Sequence, residues 1–242
     1  MKNPIIKKAV ILLFWLILWQ VASTLIHNRI YLPSLTDTVA GLFGMLTSLV
    51  FWKAVANSLL RILSGFLAAV LSACIFAMLS RRFALIKDVL SPVISLLGSV
   101  PGAAVIVLLL IWLKNPYAVF ISVLITVFPY ICKAMMKGID KAADALSVSL
   151  RIGIGSGIAA EMIGTTRSSI GEQLYRDKIY LNTAGIFSWI AVILTLSVII
   201  EKLILIIFGM ITRAGEAAHT GNAGSNDTVA ADNKQGDVTC SP

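Results

Sequence analysis

Charge is scarce in this sequence. Asp, Glu, Lys and Arg make up only 13% of its 242 residues, while 58% are hydrophobic. A soluble domain carries about 25% charged residues, so this shortage excludes an ordinary soluble fold. The mean hydropathy of +0.90 points instead to a polytopic membrane protein. Histidine is rarer still. His27 and His219 stand alone, and no serine–histidine, histidine–metal or paired-carboxylate constellation accompanies them. The three cysteines, Cys74, Cys132 and Cys240, form no CxxC or Cys/His cluster, which excludes a disulfide framework and a zinc site. The chain is therefore not expected to be an enzyme or to hold a cofactor of its own. Acidic residues are outnumbered 12 to 20, for a net charge of +8. A basic nucleic-acid face requires a soluble fold to display it, so no nucleic-acid partner is expected and the excess reads as membrane topology.

What the sequence does have is a succession of apolar runs. Residues 9–26 are uncharged and follow a short basic start, Met1–Lys8. A signal-peptide core is about 7–15 residues long and precedes an A-x-A site; this run is longer and has none, so it reads as a first transmembrane helix in which Gln20 is the strongly polar side chain. Leu32-Pro33-Ser34 lies in the link that follows. Thr36-Asp37-Thr38 offers capping side chains to an amphipathic helix with Val39, Leu42, Phe43, Leu46, Leu49 and Val50 on one face. That helix lies on the outer surface or packs against the bundle there. Further spans are expected at 57–79, 89–113, 118–136, 146–163 and 186–211. The fold class is then an all-α polytopic membrane protein of about six transmembrane helices. Residues 1–213 form its transmembrane domain. Residues 214–242, rich in Gly, Ala, Ser, Asn and Asp without a hydrophobic period, read as a disordered cytosolic tail.

Lys and Arg placement sets the orientation. With the N-terminus inside, ten basic residues fall on inner segments (Lys2, Lys7, Lys8, Arg81, Arg82, Lys87, Lys133, Lys137, Lys141 and Arg213) and six on outer ones. That bias favours cytosolic N- and C-termini in a multi-pass cell-membrane protein. Arg61, near the outer end of its span, can snorkel to water. Arg151, Glu161 and Glu201 fall within spans, where a central charge costs about 2.5–3.5 kcal/mol on insertion scales, so each needs a partner or water. Arg151 and Glu161 are ten residues apart on one helix, roughly 15 Å, and cannot pair; Glu161 should meet the polar outer loop, 164–185. The third span is interrupted by Pro92 and by Ser99-Val100-Pro101-Gly102, either a lining of a pathway or a packing kink. Gly155 and Gly157 lack the strand and Gly-Lys-Ser/Thr of a phosphate loop and read as close-packing residues of a membrane helix. Together with Glu161 they are also candidates to line a pathway. The polar stretch Lys137–Leu146 reads as a short cytosolic connector between the fourth and fifth spans.

A resemblance adds to this. Leu32-Pro33-Ser34, Asn57-Ser-Leu-Leu-Arg-Ile-Leu-Ser-Gly-Phe66, Leu90-Ser-Pro through Pro101-Gly-Ala-Ala104, Pro129 leading to Gly138-Ile139-Asp140, Gly155-Ser-Gly-Ile-Ala-Ala-Glu-Met-Ile-Gly164, Ser169–Tyr175 and Ile179–Thr183 follow one another in a familiar order. Over roughly residues 9–205 the chain resembles the membrane-spanning permease of a binding-protein-dependent ABC importer (type I) of the nitrate/taurine/sulfonate type. The resemblance implies a homodimer of permease copies in membrane lipid, two cytosolic ATPase subunits that bind the ATP, and an extracytoplasmic substrate-binding protein. It implies an ATPase-coupling loop beginning at Gly138, Ile139, Asp140, Ala142, Ala143 and Asp144, of which only a remnant is present. The family's coupling helix and the Leu-Pro segment after it have no counterpart, so a few tens of residues are missing. An internally deleted copy that cannot couple, or a membrane scaffold without transport, are the alternative readings.

Overall fold

The computed structural model describes the backbone of residues 4–26, 28 and 30–235, with no side-chain description for residues 4–5, 139–143 and 211–235. His27, Arg29 and Cys240 therefore lie outside the described residues. The chain divides into two units, 1–199 and 200–242. Among the described residues every regular element is an α-helix: α1 (Pro4–Ile26), α2 (Leu35–Leu46), α3 (Leu49–Arg82), α4 (Ala84–Ser99), α5 (Gly102–Trp112), α6 (Asn115–Lys137), α7 (Ile139–Ile163), α8 (Ile170–Ile179) and α9 (Thr183–Gln235). Five are long and apolar enough to cross a membrane, and α4 with α5 makes a sixth if the bent pair is one broken span. The protein is thus an all-α polytopic membrane protein.

The core of the first unit is α3, α6 and α7, and small residues bring these helices together. A Cβ on Gly65 of α3 would lie 2.7 Å from the Phe120 carbonyl oxygen of α6. One on Gly157 of α7 would lie 2.5 Å from Ile62 Cγ1, and one on Gly153 would lie 2.9 Å from Val127 Cγ2. Between membrane helices the gain comes from van der Waals contact at short range, which only glycine permits at these positions. Ile62, Phe66, Val123, Val127, Ile131, Leu150 and Ile154 fill the seam and are buried. By contrast α1 exposes Val10 through Leu18 almost throughout, as a lipid-facing helix does, and is tied down near its C-terminal end. There Trp19 Nε1 donates to the Pro33 carbonyl (3.2 Å), Ser23 Oγ to the Leu32 carbonyl (3.0 Å), and Gln20 accepts from Leu35 N–H (3.0 Å). Gln20 therefore satisfies an otherwise orphan donor at the start of α2.

Several sequence expectations change. The amphipathic stretch through Val50 is two elements, because Ser48 caps a new helix by accepting from Val50 N–H (3.2 Å). Ser34, rather than Thr36–Thr38, caps α2, accepting from Asp37 N–H. Of the two placements expected for that face, lying on the surface or packing on the bundle, the exposure of Val39, Phe43, Leu49 and Val50 is in keeping with the first. The span expected at 57–79 begins at Leu49, so α3 is 34 residues, roughly 51 Å and longer than a hydrocarbon core of about 30 Å.

The span expected at 89–113 is not a kinked helix; α4 and α5 meet at 98°. Pro92 is accommodated inside α4, whereas Val100 (ψ 128°) and Pro101 (ψ 126°) are both extended. Proline disfavours helical geometry in the residue before it, so two successive extended residues turn the chain. α5, at 11 residues, rises about 16 Å and cannot cross a bilayer alone.

The connector Lys137–Leu146 also proves shorter than its polar composition suggests. α6 ends at Lys137 and α7 begins at Ile139, leaving Gly138 as the whole link at φ 136°, ψ 160°. Only glycine occupies that region without strain. Residues 139–146 are the first turns of α7: alanines favour helix, and Asp140 and Asp144 stand toward its N-terminal end, where the macrodipole favours negative charge. Finally, the backbone of α9 is helical to Gln235, where a disordered tail is expected. Extending an existing helix avoids the cost of nucleation. The side chains of that tail and residues 236–242 lie outside the described residues.

Candidate functional site

Two polar clusters sit inside the first unit. The first surrounds the α4–α5 break. On α6, Ser122 and Thr126 are one helical turn apart on one face; on α7, Ser156 points at the same place. Ser122 Oγ and Ser156 Oγ are 3.1 Å apart, Thr126 Oγ1 and Ser156 Oγ 3.2 Å, and Thr126 Oγ1 also donates to the Ser122 carbonyl (2.7 Å). A Cβ on Gly102, at the start of α5, would lie 3.8 Å from both Ser156 Oγ and Thr126 Oγ1. Three hydroxyls thus face the backbone opening of a helix. Hydroxyls can both donate and accept, so such a group can exchange partners with a polar solute or water without leaving a charge in the bilayer.

Of the sequence candidates for a pathway, Gly102 joins this cluster. Ser99, Val100 and Pro101 stand beside it on the break, all exposed, with Ser99 Oγ turned back to the Ser95 carbonyl (2.8 Å). Gly155 is exposed with open space around it. Gly157, two residues along and so on nearly the opposite side of α7, is buried against Ile62 and Val123, in keeping with its reading as a close-packing residue. Ser122, Thr126 and Ser156 escaped the sequence reading, although their four-residue spacing on α6 and the small-residue run on α7 were a visible signal.

The second cluster centres on Glu161, which is fully buried near the end of α7. Its carboxylate accepts from Ser58 Oγ (2.6 Å), from Arg61 Nη1 (3.5 Å) and from Gly171 N–H (3.4 Å). Ser58 Oγ in turn accepts from Ile170 N–H (2.9 Å). Ile170 and Gly171 open α8, whose N-cap Ser169 accepts from Glu172 N–H (3.0 Å). The carboxylate therefore sits at the positive end of α8 and fastens it to α3 and α7. Gly171 makes this possible, since a Cβ there would collide with Glu161 Cβ and Met162 N. Glu161 meets the polar stretch 164–185, as expected from sequence, and anchors it without bordering the hydroxyl cluster by any contact described. Arg61, 24% exposed, reaches both Glu161 and the Arg167 carbonyl in the polar loop. Ser58, three residues before it on the same face, was missed.

Beyond its anchor α8 presents Tyr175, Arg176, Lys178 and Ile179, and the turn after it Tyr180 and Leu181, as an exposed surface. At its far end Asp177 accepts from Asn182 Nδ2 (3.1 Å) and Asn182 receives Gly185 N–H (3.2 Å), which joins α8 to the start of α9. Of the coupling-loop residues, Gly138 is the link itself and Asp144 is exposed on α7; the side chains of Ile139, Asp140, Ala142 and Ala143 lie outside the described residues.

This chain is similar to a transport permease. The taurine transport system permease protein TauC of Escherichia coli (strain K12) is 26% identical to it over 231 residues, covering 80% of this chain and 82% of that protein. No family model matches the chain.

Proposed function

We propose that this chain is the membrane-spanning permease subunit of an ATP-driven importer and provides the pathway for a small solute of the nitrate, sulfonate or bicarbonate kind. The similarity to a taurine transport permease along most of both chains carries the reading. The geometry is in keeping with it. The break at Ser99–Gly102 with the hydroxyls of Ser122, Thr126 and Ser156 is a suitable polar surface within the bundle. Ser99, Val100, Pro101 and Gly155 are exposed on this chain, so a pathway bordered by them needs a second copy to close it. The Glu161-anchored α8, with its exposed Tyr, Arg and Lys side chains, suits an extracytoplasmic binding protein. Arg81, Arg82, Lys87 and Lys137 gather at the other end, in keeping with a cytosolic face. ATP belongs to that partner.

One observation favours a second reading, an internally deleted copy that inserts but does not couple. The link between α6 and α7 is one residue, too short for a docked helix. The alignment with the taurine permease also runs to 231 positions while covering only 80% of this chain, so some tens of positions face gaps here. Co-purification from membranes with a cytosolic ATPase, together with solute uptake into vesicles, separates the two. A complex and chain-dependent uptake support the importer. No complex, restored by inserting a docking helix at Gly138, supports the deleted copy. No complex and no uptake even with the insertion refutes both.

A further inference from the structure

A pocket of about 420 Å³ opens where α3 turns into α4, lined by Ser80, Arg81, Arg82, Ala84, Lys87 and Met136. Among the described residues, three of the six that line it are cationic and none is acidic. Arg81 is held in place by donating from Nη2 to the Met135 carbonyl (3.0 Å), and Ser80 Oγ is turned back to the Phe76 carbonyl. Among the described residues Arg82 and Lys87 have no ion-pair partner, so their charge is directed at whatever enters. The chain makes the turn through Phe83 in an extended conformation, and no side chain caps the N-terminus of α4. The first N–H groups of a 16-residue helix therefore add to the positive field at the pocket. Around this polar recess the surface is apolar: Phe83 is 55% exposed and Leu85 75%.

From this arrangement we propose that the α3–α4 turn is a binding site for the headgroup of an anionic phospholipid, with the acyl chains lying along Phe83, Leu85 and the exposed face of α3. A phosphate offers several acceptors to Arg82, Lys87 and the free N–H groups at once, and a guanidinium meets it in bidentate geometry. A basic recess between transmembrane helices is where such headgroups are held. The apolar rim distinguishes a lipid from the other anions that could reach the cations. Free phosphate has no use for Phe83 and Leu85, and an acidic polypeptide would avoid a surface continuous with the lipid-facing Leu71, Ile75 and Met78 of α3. The site lies away from the hydroxyl cluster and does not depend on the solute.

The test uses the full chain, purified in detergent and titrated with phosphatidylglycerol or phosphatidylcholine. Bound lipid is read by native mass spectrometry and thermal unfolding. The expected result is a preference for phosphatidylglycerol of at least about tenfold, with affinity falling roughly twentyfold in Arg82→Gln/Lys87→Gln. Lys53→Gln, at the other end of α3, should leave it unchanged. If the double variant does not fold, Lys87→Gln alone is read for a loss of about fivefold. Equal binding of the two lipids overturns the proposal, as does a preference that survives the substitutions. So does full displacement of the lipid by millimolar inorganic phosphate, or capture of a polyglutamate peptide at Arg82 and Lys87 with no lipid selectivity.

Discussion

Replacing Glu161 with alanine is the most informative perturbation in this bundle, because three elements depend on one carboxylate. The contributions are unequal. The Ser58 bond, at 2.6 Å, is short and fully buried, and a hydrogen bond to a charged group is worth about 1.5–3 kcal/mol. The bonds from Gly171 N–H (3.4 Å) and Arg61 Nη1 (3.5 Å) are long and contribute less. Removing one partner of a buried pair costs about 3–5 kcal/mol when the other charge is stranded. Arg61, however, is 24% exposed and keeps the Arg167 carbonyl within 3.4 Å, which lowers that penalty. The expected cost of Glu161→Ala is therefore about 2–4 kcal/mol, with Ser58→Ala next and Arg61→Gln smallest. Unfolding in bicelles gives the global number, and amide exchange at residues 168–174 locates it. A double-mutant cycle between Ser58→Ala and Glu161→Gln should return a coupling of about 1–2 kcal/mol, above the average of about 0.6 for hydrogen bonds between membrane helices. A loss below about 0.5 kcal/mol for Glu161→Ala, or exchange at residues 168–174 that does not accelerate, refutes the assignment of Glu161 as the anchor of α8.

Two further outcomes follow from the glycines. Gly157→Ala places a methyl 2.5 Å from Ile62 Cγ1 and should cost about 1–3 kcal/mol by overpacking, while Gly155→Ala, in open space, should be neutral or stabilising by up to about 1 kcal/mol in the same unfolding assay. Gly138→Ala must adopt φ 136° in the link between α6 and α7, so it should destabilise that hairpin by about 1–3 kcal/mol, measured as lowered thermal stability and faster exchange at residues 134–144.

The apolar runs make most of the helices legible from composition alone. A run of 18 or more residues with almost no charge has to hydrogen-bond its own backbone in lipid, and the α-helix is the local solution, so the apolar spans within α1, α6, α7 and α9 lie close to where composition puts them. Boundaries that depend on single residues are harder to read. Ser48 restarts a helix inside an amphipathic pattern, and Gly138 contracts a polar stretch of ten residues to one, because the turns around them are helical on both sides. The candidate site is legible in part. Glu161 announces itself as a buried acid needing a partner, and Pro101-Gly102 as a break.

Partner identity is decided in three dimensions. Arg61 and Glu161 are 100 residues apart, and whether that arginine meets water alone or also a carboxylate depends on how α3 packs against α7. Pattern reveals which face of a helix is apolar but not which neighbour it meets. Likewise Gly155 and Gly157 are indistinguishable in sequence; only the approach of Ile62 makes one a packing residue and leaves the other on an open surface. Composition by itself determined that this chain lives in a membrane as helices, since that follows from backbone hydrogen bonding in lipid. The hydroxyl cluster and the anchor of α8 were settled by tertiary packing, because each is assembled from residues on separate helices whose meeting no local pattern encodes.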